Sequence, residues 1–299
     1  MDSLLVMIML HSFLEIATDS TSEWVTHMMG ALCMVEQHCR GSAAGIFSPE
    51  VVNLVSHHHT LHATFLASTG AQLGRNPIKC ITWLQGSPYS SRDPLRSRIN
   101  CYTGLSLELL DIISSITAVT HPEEQDDVQS DPAERLSRLY GIQQRLHELK
   151  QWSDNSEPGS LIYLNASAFE LATWLYLRRV LPAEPHDLNT GRSQLLERLL
   201  LVLHKVHERH GRLAGSLPYP MWALFLAACS VPEDGRAQIL EWFTLLKASR
   251  PFSNVPSTMN AVISLWKQRD LGHDSETGSL LGSRWEQTIR TLGWKMPLT

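Results

Sequence analysis

The stretch DPAERLSRLYGIQQRLHEL (residues 131–149) decides the fold class. Asp131 supplies a side-chain acceptor for the free N–H groups of a helix start. Pro132 suits the first helical position, where its missing N–H would have had no partner anyway. Glu134 adds a negative charge in the first turn, where the helix dipole favours it. Leu136, Leu139, Ile142, Leu146 and Leu149 then recur every three or four residues and form one apolar stripe. Start signal and period agree on an amphipathic helix.

Working outward, the same period returns along the chain. Leu105, Leu109, Ile112, Ile113, Ile116 and Val119 form a second stripe, with Glu108 near its favourable N-terminal end. Trp24, Met28, Leu32 and Val35 form another, preceded by Ser20 and Glu23 at the spacing of a capping box. Further helices are predicted at about 161–179, 192–209, 219–229, 234–248, 255–269 and 281–292, on stripes such as Leu195/Leu199/Val202/Val206 and Met259/Val262/Ile263/Trp266. No β-branched run of period two competes with them. The expected fold is all-α, an irregular multi-helix bundle or helix-pair array. No fixed repeat period stands out, which disfavours a regular solenoid. Residues 1–299 are read as a single domain, with loops near 121–131 (the acidic EEQDDVQSD) and 153–160 (SDNSEPGS).

Composition narrows the function classes. With 43% hydrophobic and 18% charged residues the chain is ordinary globular material, long enough to bury roughly three quarters of its unfolded surface. The net charge is −5, and Lys and Arg are spread thinly, without the cluster that neutralises phosphates. Direct nucleic-acid binding by this chain is not expected. Cys33, Cys39, Cys80, Cys101 and Cys229 form no C-x-x-C pair, so neither a zinc module nor a disulfide framework is indicated. The apolar N-terminus, MDSLLVMIMLHSFLEIA, has no basic leader or small-residue cleavage site, and carries His11 and Glu15. Met221–Cys229 (MWALFLAAC) is apolar all round but about half a membrane-spanning length, and is expected to be a buried helix.

Fourteen histidines raise the question of a metal. His58 and His62, in the run His57-His58-His59 with His62, stand four apart on one helical face. No H-E-x-x-H is present and no Glu lies between them, so a hydrolytic site lacks its base. The plainer reading is a polar helix surface with one or two packed imidazoles. His204, His207 and His210 spread over about 120° of a helix, too wide for one ion. A basic, solvent-facing helix end with Lys205, Arg209 and Arg212 explains them better.

No G-x-S-x-G elbow exists; Gly278-Ser279 and Gly282-Ser283 sit in a turn. Gly41–Gly45 has no lysine and follows no strand, so it is no phosphate loop. Cys229 reads as a small core residue rather than a nucleophile. Glu123-Glu124 and Asp126-Asp127 lack surroundings that would split their pKa values. No catalytic, cofactor-binding or metal-ligating residue is assigned. Of the nine tryptophans, Trp24, Trp174, Trp222, Trp242, Trp266, Trp285 and Trp294 lie on or near expected helices beside apolar residues. They are read as core, with an apolar effector or partner groove between helices as the functional version.

Several segments, in order, resemble one family. Glu15, Trp24, His27, Gly30 and Ala31 stand in LHSFLEIATDSTSEWVTHMMGA (residues 10–31). GLSLELLDIISSITAVT (104–120), FELATWLYLRRVL (169–181), Trp222–Ser230 after Pro220, and NAVISLWKQRD (260–270) followed by Trp285 and Gly293-Trp294 complete the set. Together they look like the fungal-specific transcription factor domain of zinc-cluster regulators. The resemblance implies an all-helical domain doing regulatory rather than catalytic work in the nucleus, through protein partners: a second copy or a zinc-cluster transcription factor. Such regulators usually carry a basic six-cysteine module holding two zinc ions, which is absent here, so no DNA-contacting residue carries over. A stand-alone relative or an N-terminally truncated form would both fit a chain whose Met1 adjoins an apolar helix. The rivals are a helical scaffold unrelated to transcription and a metalloenzyme built on His57–His62.

Overall fold

The computed structural model describes residues 2–18, 23–40, 48–69, 94–120, 131–154, 157, 159–182, 190–210, 219–249, 254–271, 284–291, 295 and 298. Its helices are α1 (Asp2–Thr18), α2 (Glu23–Arg40), α3 (Pro49–Ser68), α4 (Leu107–Thr120), α5 (Pro132–Glu148), α6 (Leu161–Val180), α7 (Thr190–His210), α8 (Met221–Ser230), α9 (Arg236–Ser249), α10 (Asn254–Asp270) and α11 (Arg284–Thr291). Among the described residues the only β pairing is two isolated bridges, Arg98 with Trp152 and Ile99 with Ser106. The all-α expectation holds, and the predicted helix limits fall within a few residues of the observed ones.

Local chemistry sets several helix ends. The Asp131 side chain accepts a hydrogen bond from the Ala133 N–H at 3.1 Å, with Pro132 at the first helical position, as the sequence predicts. Ser48 caps α3 by accepting from the Val51 N–H. The expected capping Ser20 lies outside the described residues, as do the acidic stretch 121–130, Gly41–Gly45 and the 272–283 turn. Ahead of α4, Gly104 adopts φ +77°, and a Cβ there would come 3.1 Å from the Asn165 Cβ. Only glycine tolerates that turn without strain.

Two layers follow from the stripes. Helices α1, α2 and α3 pack on one another, burying Leu5, Met9, Ala31, Val35 and Val55 in one cluster and Ile16, Trp24, Val25, Met28 and Leu66 in another. Helix α3 then packs on α4, which passes to α5 and α6; α6 packs on α7 and α8, and α10 covers α8, α9 and α11. The main core lies where these meet. Phe65 of α3 stacks on Trp222 of α8 (centroids 5.2 Å) and on Phe169 of α6 (5.6 Å), and Tyr176 meets Trp222 edge-on at 5.9 Å. The Trp222 Nε1–H donates to the Ser68 hydroxyl at 2.8 Å, so its one polar atom is satisfied.

Met221 to Ala228 are all buried, which is why α8 reads apolar on every side: it is the central helix, enclosed by its neighbours. Among the described residues no helix is long and apolar enough to cross a membrane. Charges tie the outer helices. Arg145 of α5 donates to Glu108 and Asp111 of α4, both at 2.6 Å, and Arg96 donates to Glu108 at 3.0 Å.

Candidate functional site

Concavity and several cationic residues coincide in one cavity of the described structure. A cavity of about 300 Å³ opens where α6, α7, α8, α10 and α11 converge. Its apolar wall is Leu175 and Tyr176 of α6, Leu196 of α7, Leu226 of α8 and Trp285 of α11. Three arginines, Arg179, Arg192 and Arg269, line it as well, with Ser193 and Ser230.

Each arginine is placed by its helix. Arg179 sits in the last turn of α6, one helical step beyond Tyr176 and Leu175, so the stripe that faces α8 ends in a cation. Its side chain is 7% exposed and pairs with Glu286 of α11. The guanidinium also lies over the Trp285 ring, 3.8 Å from its centroid. Its Nη1 is buried and has no hydrogen-bond partner among the described residues. Arg192, near the start of α7, donates to the Arg178 carbonyl at 3.3 Å. Burial, reinforced by the like charge of Arg179, pushes its pKa below the ordinary arginine value. Arg269, in the last turn of α10, donates to the Val231 carbonyl at 2.9 Å, just past the C-terminus of α8. Burial lowers its pKa as well.

Cys229 also lines the cavity, and burial pushes its thiol well above the usual range despite the nearby arginines. A thiol held protonated is a poor nucleophile. Tyr176 is likewise pushed up, to about 12, by burial. Neither group is prepared for proton or acyl transfer near neutral pH. The site is shaped for binding.

The histidine run requires a correction. His58, His59 and His62 are not on a polar surface: they are 8%, 2% and 2% exposed. The His58 and His62 rings touch edge-on at 4.2 Å, with Phe13 of α1 at 4.4 Å from His58 and Trp24 of α2 at 5.5 Å from His62. The Nε2 of His58, both ring nitrogens of His59 and the Nδ1 of His62 lack hydrogen-bond partners among the described residues. Burial pushes His58 down to about 3 and His59 to about 4, with like charges adding to the effect on His58, and holds His62 well below its ordinary value. These imidazoles are neutral packing elements between α3 and the α1–α2 pair. A helical stripe of histidines looks polar in sequence, but a neutral imidazole is half a hydrophobe, and the facing helices present aromatic rings.

The metal-type geometry that does arise among the described residues is elsewhere: His11 and Glu15 of α1 with His27 of α2, where the His27 Nε2 lies 2.9 Å from the Glu15 carboxylate. In the third histidine set, His204 is exposed and 3.4 Å from Glu208. Both His204 (6.3 Å) and the half-buried His207 (6.2 Å) lie against the Trp242 ring; the His210 side chain lies outside the described residues. Trp24, Trp222, Trp242, Trp266 and Trp285 are buried, as a core role requires. One of them, Trp285, also lines the cavity.

Three segments and one residue quoted above for their resemblance meet at this cavity: 169–181 contributes Arg179, 222–230 contributes Cys229, 260–270 contributes Arg269, and Trp285 joins them. Compared with known proteins, residues 1–299 match the family model described as fungal specific transcription factor domain. No curated protein and no solved structure matches the chain.

Proposed function

Given that the chain belongs to the fungal-specific transcription factor domain family, we propose that it is a nuclear regulatory domain that works by binding an effector and by protein contacts, not by touching DNA and not as an enzyme. The observation that carries this reading is the cavity of about 300 Å³ among five helices, at the small end of ligand-pocket sizes, with apolar walls and a few convergent polar groups. Effector binding there would act on α6, α7, α8, α10 and α11 at once, which is how a small molecule biases one packing of helices over another. The net charge of −5 supports indirect action on DNA.

Protein contacts have a candidate surface. Leu4, Met7, Leu10 and Leu14 of α1 are 39%, 56%, 61% and 55% exposed and recur at helical spacing, so they form an apolar face turned away from α2 and α3. A second copy of the chain, or a zinc-cluster regulator of the same family, is the partner this reading expects. Regulation of a fungal gene cluster is the expected output.

The test is a tethering assay. Fused to an unrelated DNA-binding module in a fungal host, the chain should change expression of a reporter carrying that module's site. The untethered chain should produce no mobility shift with duplex DNA. A reporter unmoved by the tethered chain would leave the scaffold reading in possession; a mobility shift at physiological salt would refute the indirect mode.

A further inference from the structure

We propose that the cavity takes a small amphipathic oxyanion, a carboxylate or a phosphate monoester with an apolar body, whose charged head is held by Arg179, Arg192 and Arg269. The inference rests on the effector reading above and names the chemical class of the effector.

Charge bookkeeping within the cavity leads there. Three arginines line it, and no Asp or Glu does so among the described residues. Outside that lining, Glu286 pairs with Arg179, and the Asp270 carboxylate acts on Arg269 from the neighbouring position while paired with Arg236. Hydrogen bonds point the same way. A guanidinium carries five N–H donors, yet among the described residues Arg192 and Arg269 each donate to one main-chain carbonyl, and the buried Arg179 Nη1 has no partner. Clustered, partly desolvated cations with spare donors are costly unless an anion joins them. An oxyanion offers several lone pairs in the planar arrangement that the guanidinium fork matches. The rest of the wall is Leu175, Leu196, Leu226 and Trp285, which sets the second requirement. A hydrated inorganic ion would leave those side chains facing water, whereas an alkyl or aryl body would cover them. Arg179 is shared between the cavity and Glu286, so an anion reaching Arg179 competes with the tie that holds α11.

The probes are octanoate, octyl phosphate and neutral octanol, titrated calorimetrically into the full chain. At least one anion should bind about tenfold or more tightly than octanol, the difference one charge-assisted hydrogen bond supplies; which anion wins separates a carboxylate from a phosphate ligand. Arg192→Met should abolish that preference, and Arg269→Met provides the same test should the first variant fail to fold. Octanol binding as tightly as both anions would overturn the oxyanion proposal while leaving an effector cavity in place. Binding by none of the three would overturn both. An anion preference untouched by either arginine variant would put the anion elsewhere and refute the assignment.

Discussion

At the scale of single residues, the buried imidazoles of α3 set a pH limit on the fold. In the unfolded chain a histidine takes up a proton near pH 6.5. In the folded chain His58 and His59 resist it down to about 3 and about 4 because burial disfavours the charged form. Phe13 against His58 and Trp24 against the adjoining His62 supply no counter-charge, and Asn100 contacts His57. Between these limits the unfolded state binds more protons, so stability is complete above about pH 6.5 and falls as the pH drops towards 3. For His58 alone the loss at pH 5 relative to pH 8 is about 2 kcal/mol. Thermal melting should therefore show a steep decline from pH 7 to pH 5, flattened in His58→Phe; a melting temperature level across that range would refute the buried-neutral account. Trp222 poses a second residue-scale test. It is fully buried, stacks on Phe65 and is bonded to Ser68. Trp222→Ala should cost about 3–5 kcal/mol, read as a lower urea midpoint with an unchanged slope.

At the scale of elements, what the sequence reveals and what it hides have one physical origin. Helices were legible because the apolar period and the caps are local properties: Asp131-Pro132 starts α5 at the predicted place, and the all-round apolar Met221–Cys229 proved to be the enclosed central helix. Asp131→Ala should destabilise the fold by about 1 kcal/mol in urea titration, through loss of the bond to the Ala133 N–H. What a helix packs against is not local. The His57–His62 face looked solvated because nothing in its own segment announces that α1 and α2 cover it with Phe13 and Trp24. Likewise, Glu286 sits in the short helix α11 with no sequence signal for its partner Arg179, 107 residues away. Breaking that buried pair with Glu286→Ala leaves an uncompensated charge and should cost about 3–5 kcal/mol locally. Hydrogen exchange should show protection lost across Arg284–Thr291 while α6 and α8 stay protected; undiminished protection there would mean the pair does not hold α11.

For the whole molecule, the cavity is the level at which the chain acquires something to do. The sequence reads the tryptophans as core, with a groove between helices as the functional alternative and no ring singled out; Trp285 is the one that lines the cavity among the described residues. The arginines escaped notice because each is an unremarkable residue near a helix end, and the site forms only when α6, α7 and α10 are brought together around α8. A packing shift in any of these helices changes the cavity, and an occupant of the cavity changes their packing. On the proposed reading, regulation by an effector and assembly of the core are one physical problem. The most direct measurement is the reporter output of the tethered chain with and without Leu196→Trp, a substitution that fills the cavity from α7 while keeping an apolar wall. If the cavity governs output, the filled variant should remain folded and shift the reporter to a fixed level that effector conditions no longer change. A folded Leu196→Trp chain whose output follows the wild type under every condition would contradict the claim that this cavity is where the domain is regulated.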